Sequence, residues 1–194
     1  MNKLVLFTIL FPLVLFAGEL KPLKVGEETP SFSLKNYDGK LYSLDTLRKQ
    51  NSYTVLMFIS TECPVSNGYN ERMVKLNEEY GKKGIAFVGI NANKAETIVD
   101  IAKHSKEKGF KFPVLKDIQN KIADLYGAQV TPEVFVIDSK TKLVYHGRID
   151  DSRNLEKVKS RDLSLALDAL LAGKQPSKIE AKAFGCSIKR VGKD

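Results

Sequence analysis

The stretch "YTVLMFISTECPVSNGYNERMVKLNEEY", residues 53–80, decides the fold. Its first eight residues are a near-continuous apolar run, the pattern of a strand buried on both faces of a sheet. Val65, Tyr69, Met73, Leu76 and Tyr80 then recur at helical spacing, which predicts one amphipathic helix over residues 64–80. Pro64 suits the first helical position, where its missing N–H is not needed, and Gly81 and Gly84 end the helix. Cys63 stands between strand and helix.

Working outward, "FSLKNYDGKLYSL" places two alternating segments around Asp38-Gly39, a dipeptide suited to a tight hairpin turn. "IAFVGINA" (85–92) is a second buried strand, and a helix is expected over residues 95–108 with Ile98, Ile101 and Ala102 turned inward. A short extended piece, "FPVLKD", and a short helix closed by Gly127 follow. "EVFVID" and "KLVYHGRI" pair as a hairpin across "DSKTK", and "DLSLALDALLAG" is a last helix. Strands alternating with helices and closing on a hairpin and a helix make an α/β protein, a mixed central sheet with helices on both faces and an N-terminal β-hairpin.

The ends differ from the middle. Met1-Asn2-Lys3 precedes "LVLFTILFPLVLFA", a run that as a helix would span roughly 21 Å, short of a hydrocarbon core of about 30 Å. A lysine followed by a short apolar run is the pattern of a secretory signal peptide, with an uncleaved anchor as the alternative, so residues 1–17 are set apart from the fold. The organisation is therefore 1–17, a domain over 25–172, and a tail over 173–194. Export to the periplasm or another extracytoplasmic space makes oxidised thiols permissible. A membrane contact is expected only if the segment stays uncleaved. The net charge of +8 is spread along the chain without aromatic interleaving, so nucleic acid is not an expected partner. Two histidines, His104 and His146, and two distant cysteines form no metal-ligand pattern, and no cofactor is expected.

Several features together resemble the redoxin branch of the thioredoxin superfamily, which holds peroxiredoxin-like antioxidant proteins and exported thiol–disulfide oxidoreductases. "CPVS" follows the first buried strand, "VTPEVFVID" sets Thr131-Pro132 before a later strand, and "FPVLKDIQNKIADLYG" is inserted between them. "GRIDD" and the terminal "GCSIK" are similar to one peroxiredoxin-like subgroup. The resemblance implies the thioredoxin-like fold and a redox-active Cys63. It implies a cis bond before Pro132, which would pack against the sulfur while the Thr131 backbone pairs with an extended substrate.

From the residues alone, Cys63 is either a nucleophile or a small buried thiol. Lowering a thiol pKa by two units takes roughly 2.7 kcal/mol, whereas an exposed helix dipole supplies about 0.3–1 kcal/mol. Direct hydrogen bonds to sulfur must supply the rest, and the first-turn amides and the Ser66 hydroxyl are positioned to do so. Ser66 stands where disulfide exchangers carry a second cysteine, and a hydroxyl cannot resolve a mixed disulfide. Cys186 could be the resolving residue, a structural staple that constrains the unfolded chain by roughly 4–5 kcal/mol, or a free thiol.

For peroxide reduction, Ser60 fits the hydroxyl position of peroxiredoxin sites. Leu56 and Pro132 occupy the places of that family's proline and arginine, and Arg148 is the remaining candidate cation. Thiol–disulfide exchange is thus the expected activity, with a thiol peroxidase acting on hydroperoxides as the alternative. A non-catalytic thioredoxin-like binding module is the rival of another class. The expected partners are a disulfide- or thiol-bearing protein and an exported dithiol electron donor.

Overall fold

A computed structural model describes residues 22–192. The segment 1–17 lies outside them. β1 (Ser33–Lys35) and β2 (Leu41–Ser43) form the expected hairpin, and α1 (Leu44–Gln50) follows directly, its first turn capped by the Ser43 hydroxyl. β3 (Tyr53–Phe58) is buried from Thr54 onward. After it come α2 (Pro64–Asn67), α3 (Asn70–Gly81) and β4 (Ile85–Asn91), then α4 (Ile98–Glu107) and β5 (Val114–Lys116). The chain continues through α5 (Lys121–Tyr126), β6 (Val130–Thr131), β7 (Glu133–Asp138), β8 (Leu143–Gly147), α6 (Asp162–Leu171) and β9 (Cys186–Ser187).

The five-stranded sheet runs β5-β4-β3-β7-β8, parallel among β5, β4 and β3 and antiparallel from β3 through β7 to β8. Because side chains alternate along a strand, β3 divides its residues between two cores. Val55 and Met57 meet Met73 and Leu76 of α3, Ile101 of α4 and Leu163 and Leu167 of α6. Leu56 and Phe58 face the opposite layer, with Leu44 of α1 and Ile122 and Tyr126 of α5. This is the thioredoxin-like arrangement, a mixed sheet covered on both faces.

Two helices depart from the expected boundaries. The single helix over 64–80 is broken at Gly68 and Tyr69. The Gly68 carbonyl is taken by the Arg72 guanidinium at 2.9 Å, and that guanidinium also lies 3.8 Å from the Tyr69 ring centroid. Tyr69 is thereby held as a buried side chain between Arg72 and the edge of Phe184, and the backbone bends to put it there. The other helix begins at Ile98 rather than at 95. Thr97 and Asp100 form a capping box that fixes its start. Ile98, expected to face inward, is 46% exposed; Ile101 and Ser105 carry the buried face instead.

The tail, weakly patterned in sequence, is docked along its length. His146 of β8 donates its N–H to the Ile179 carbonyl and accepts from the Ala181 N–H, so residues 179–181 cover the edge of β8. β9 pairs antiparallel with β6, Thr131 opposite Cys186. Ile188 is buried in the second core.

Candidate redox site

The site lies where β3 ends, the position at which open α/β sheets gather their functional groups. Cys63 caps α2 and is buried, and its sulfur is bonded to that of Cys186, with the two Cα atoms 5.9 Å apart. The Ser66 N–H points at the Cys63 Sγ from 3.4 Å. The Thr131 carbonyl oxygen lies 3.3 Å from the same sulfur. The Thr131–Pro132 peptide is cis, and both residues are buried beside the disulfide.

With α2 limited to a single turn, a long helix dipole does not converge on Cys63, and the Ser66 amide provides the direct contact. The Ser66 hydroxyl is fully buried and accepts the Ser60 N–H at 3.2 Å. Ser60 holds the turn from the other side. Its oxygen accepts the Cys63 N–H at 2.9 Å and the Glu62 N–H at 3.2 Å. Pro64 occupies the first helical position and is exposed. Asn67 closes the turn by donating to the Thr61 carbonyl at 2.9 Å.

Arg148 is held elsewhere. Its Nε donates to the Asp162 carboxylate at 2.6 Å, and Asp162 also receives Lys178 of the tail at 2.7 Å. Thus Cys63, Ser60, Ser66, Thr131, Pro132 and Cys186 come together, whereas the Arg148 guanidinium is tied to the start of α6.

Gly185, which sequence reasoning did not single out, permits the approach of the tail. A Cβ at this position would collide with the Thr131 carbonyl oxygen, so only glycine lets β9 lie against β6 at this distance.

Glu96 was also missed. It is 2% exposed, yet its carboxylate accepts hydrogen bonds from the Ser60 and Thr61 hydroxyls, the Thr61 N–H and the Asn91 and Asn93 side chains. Burial pushes its pKa up, but the hydrogen bonds from Ser60, Thr61 and Asn91 outweigh this and hold it below the usual glutamate value. A signal was present in the sequence: Asn91, Asn93 and Glu96 cluster at and just past the carboxyl end of an apolar strand.

A depressed folded-state pKa contributes stability that is fully present above the unfolded value of about 4.3. That contribution is lost as pH falls through the lower folded value. Urea midpoints between pH 7 and pH 3 should therefore fall more steeply for the native protein than for Glu96→Gln. Parallel curves would show that this carboxylate carries no such linkage.

These features define a thioredoxin-like protein with a cysteine pair at the end of its central strand. The chain belongs to the AhpC/TSA family, whose sequence model matches residues 25–146. Among solved structures, a protein of Sinorhizobium meliloti 1021 described as hypothetical superposes with a TM-score of 0.83 at 33% identity, over 89% of this chain and 98% of that one. An uncharacterized conserved protein from Geobacillus kaustophilus gives 0.82 at 34% identity, over 89% and 95%. Thiol-disulfide oxidoreductase ResA of Bacillus thuringiensis (strain Al Hakam) is 29% identical over 129 residues, 66% of this chain and 72% of that protein.

Proposed function

We propose that this protein is an exported thiol–disulfide oxidoreductase that cycles Cys63 and Cys186 between dithiol and disulfide. The observation that carries the reading is the bond between these two cysteines beside the cis Thr131–Pro132 peptide. Its similarity to a protein named as a thiol–disulfide oxidoreductase supports the same reaction class. Export rests on the apolar N-terminal run, and a cysteine pair free to oxidise suits an extracytoplasmic site.

In the reductive direction the Cys63 thiolate attacks one sulfur of a substrate disulfide. A Cys63–substrate bond forms and the other substrate sulfur leaves as thiolate. The Cys186 thiolate then attacks the Cys63 Sγ, closing the internal disulfide and expelling the second substrate thiolate. Two electrons pass from the protein dithiol to the substrate, and the reverse sequence oxidises a substrate dithiol. The Ser66 N–H stabilises the Cys63 thiolate, while Ser60 and Pro132 shape its surroundings. Cys186 supplies the resolving step that Ser66 cannot. The peroxidase alternative is disfavoured because Arg148, its candidate cation, is bound to Asp162.

A second reading has its own support. The tail is docked by many contacts besides the disulfide, as a permanent staple in a binding module would be. Equilibration with glutathione buffers followed by thiol trapping separates the two. A working couple interconverts reversibly with a potential above about −300 mV, whereas structural disulfides typically lie below that value. A pair that resists every glutathione ratio would overturn the oxidoreductase reading in favour of the staple.

A further inference from the structure

The geometry points to Glu96 as the positioning residue of the redox pair, acting on both cysteines from one loop. This inference rests on the reading of Cys63 and Cys186 as a working couple. The loop between β4 and α4 reaches the turn of Cys63 through Glu96 and the tail strand of Cys186 through Asn93.

The hydrogen-bond directions are decisive. Glu96 Oε1 receives the Ser60 hydroxyl at 2.5 Å and the Asn93 amide at 2.8 Å. Oε2 receives the Thr61 N–H at 2.6 Å, the Thr61 hydroxyl at 2.8 Å and the Asn91 amide at 2.6 Å. All five partners donate, so the site requires an acceptor-only group, which an ionised carboxylate is and an amide is not. With its proton directed to Glu96, the Ser60 oxygen turns its lone pairs to the Cys63 and Glu62 N–H groups. Glu96 thereby sets the backbone of Cys63 at one remove.

Asn93 carries the other half. While its amide donates to Glu96, its Oδ1 accepts the Lys189 N–H at 2.8 Å. The neighbouring Lys94 N–H donates to the Lys189 carbonyl at 2.8 Å. Lys189 stands three residues after Cys186, so its pairing with this loop fixes the strand that presents the second sulfur. The buried network is completed by Lys116, whose Nζ donates to the Asn91 Oδ1 at 3.0 Å and the Asn93 carbonyl at 2.5 Å. A network of this kind rigidifies only while every member is satisfied.

The bland alternative is that Glu96 ties two loops together and affects stability alone. The reduction equilibrium of the pair separates these roles, because a purely structural loss leaves it unchanged in molecules that remain folded. The full chain would be equilibrated in glutathione buffers as wild type, Glu96→Gln, Glu96→Asp and Leu167→Ala, the last a destabilised control in the buried face of α6. For Glu96→Gln the equilibrium should move about tenfold toward the dithiol, close to 30 mV. Glu96→Asp, which retains the charge, should shift less, and Leu167→Ala should match wild type.

A Glu96→Gln equilibrium within about twofold of wild type would overturn the proposal. Should that variant not fold, Asn93→Ala removes the acceptor of the Lys189 N–H and one donor to Glu96, with Glu96 itself and the Lys94–Lys189 backbone bond left in place. It should shift the equilibrium in the same direction, and no shift would equally overturn the proposal. A wild-type pair that glutathione cannot reduce would defeat the oxidoreductase reading itself. A reducible wild type with unshifted variants defeats only the role of Glu96.

Discussion

Replacing Cys63 by serine is expected to slow disulfide reduction by at least about a thousandfold, because only a thiolate performs the attack. Replacing Cys186 should leave capture intact and abolish release. The two are separable in one mixing experiment with the reduced protein and an aromatic disulfide whose leaving thiolate is coloured. Wild type should release two equivalents per chain, the first on attack by Cys63 and the second when Cys186 closes the internal bond. Cys186→Ser should release one equivalent and retain the other half of the reagent as an adduct on Cys63. Cys63→Ser retains only a tail thiol without the Ser66 amide beside it, and should release one equivalent at most, slowly. Two rapid equivalents from Cys63→Ser would remove Cys63 from the mechanism.

That division of labour was partly legible in the sequence. An apolar run, then a cysteine, a proline and helical spacing, located β3, the turn and the helical segment that follows it. The Thr131-Pro132 step before β7 was equally plain, and both features place residues where local pattern and tertiary contact agree. The helix break at Gly68 and Tyr69 was not legible, since the apolar spacing of residues 65–80 continues through it. What bends the chain there is the Arg72 guanidinium, which binds the Gly68 carbonyl, Asp150 at 2.5 Å and the Ser152 and Arg153 carbonyls. Asp150, Ser152 and Arg153 are distant in sequence, so no local window contains the groups that hold the Arg72 guanidinium in place.

Glu96 escaped for a related reason. It fell inside the helix expected from residue 95, whereas the Thr97–Asp100 capping box begins the helix at Ile98, three residues later, and leaves Glu96 in the preceding loop, turned into the site. The pairing of Cys186 with Cys63 was one of the readings its sequence allowed, and the bond between them bears it out, but the docking of the tail around it was not legible. A tail without periodicity carries no signal of where it docks, and its position is set by groups elsewhere in the chain. Arg190 illustrates this: it pairs with Asp124 of α5 at 2.7 Å and donates to the carbonyl of Ala128 just past that helix.

The docked tail leads to the second large effect, the loss expected on removing the Ile188 side chain. Ile188 is 5% exposed and packs in the core that holds Phe58, Ile122, Tyr126 and Phe135. Truncating a buried isoleucine to alanine costs about 2–5 kcal/mol. Here most of that cost falls on the docking of residues 186–191 and little on the sheet, which is complete without them. At the lower end, about 2 kcal/mol, the equilibrium constant for docking the reduced tail falls by roughly thirtyfold. The effective concentration of Cys186 at Cys63 falls with it, since an undocked tail is a flexible linker. In glutathione buffers Ile188→Ala should therefore shift the pair toward the dithiol, by up to about thirtyfold, while Val191→Ala, at a position 55% exposed, should not. The same loss should expose Cys63, so iodoacetamide should label it faster in reduced Ile188→Ala than in reduced wild type. An unshifted equilibrium with unchanged labelling would mean that Ile188 does not hold the reduced tail, and that the disulfide itself keeps the two cysteines together.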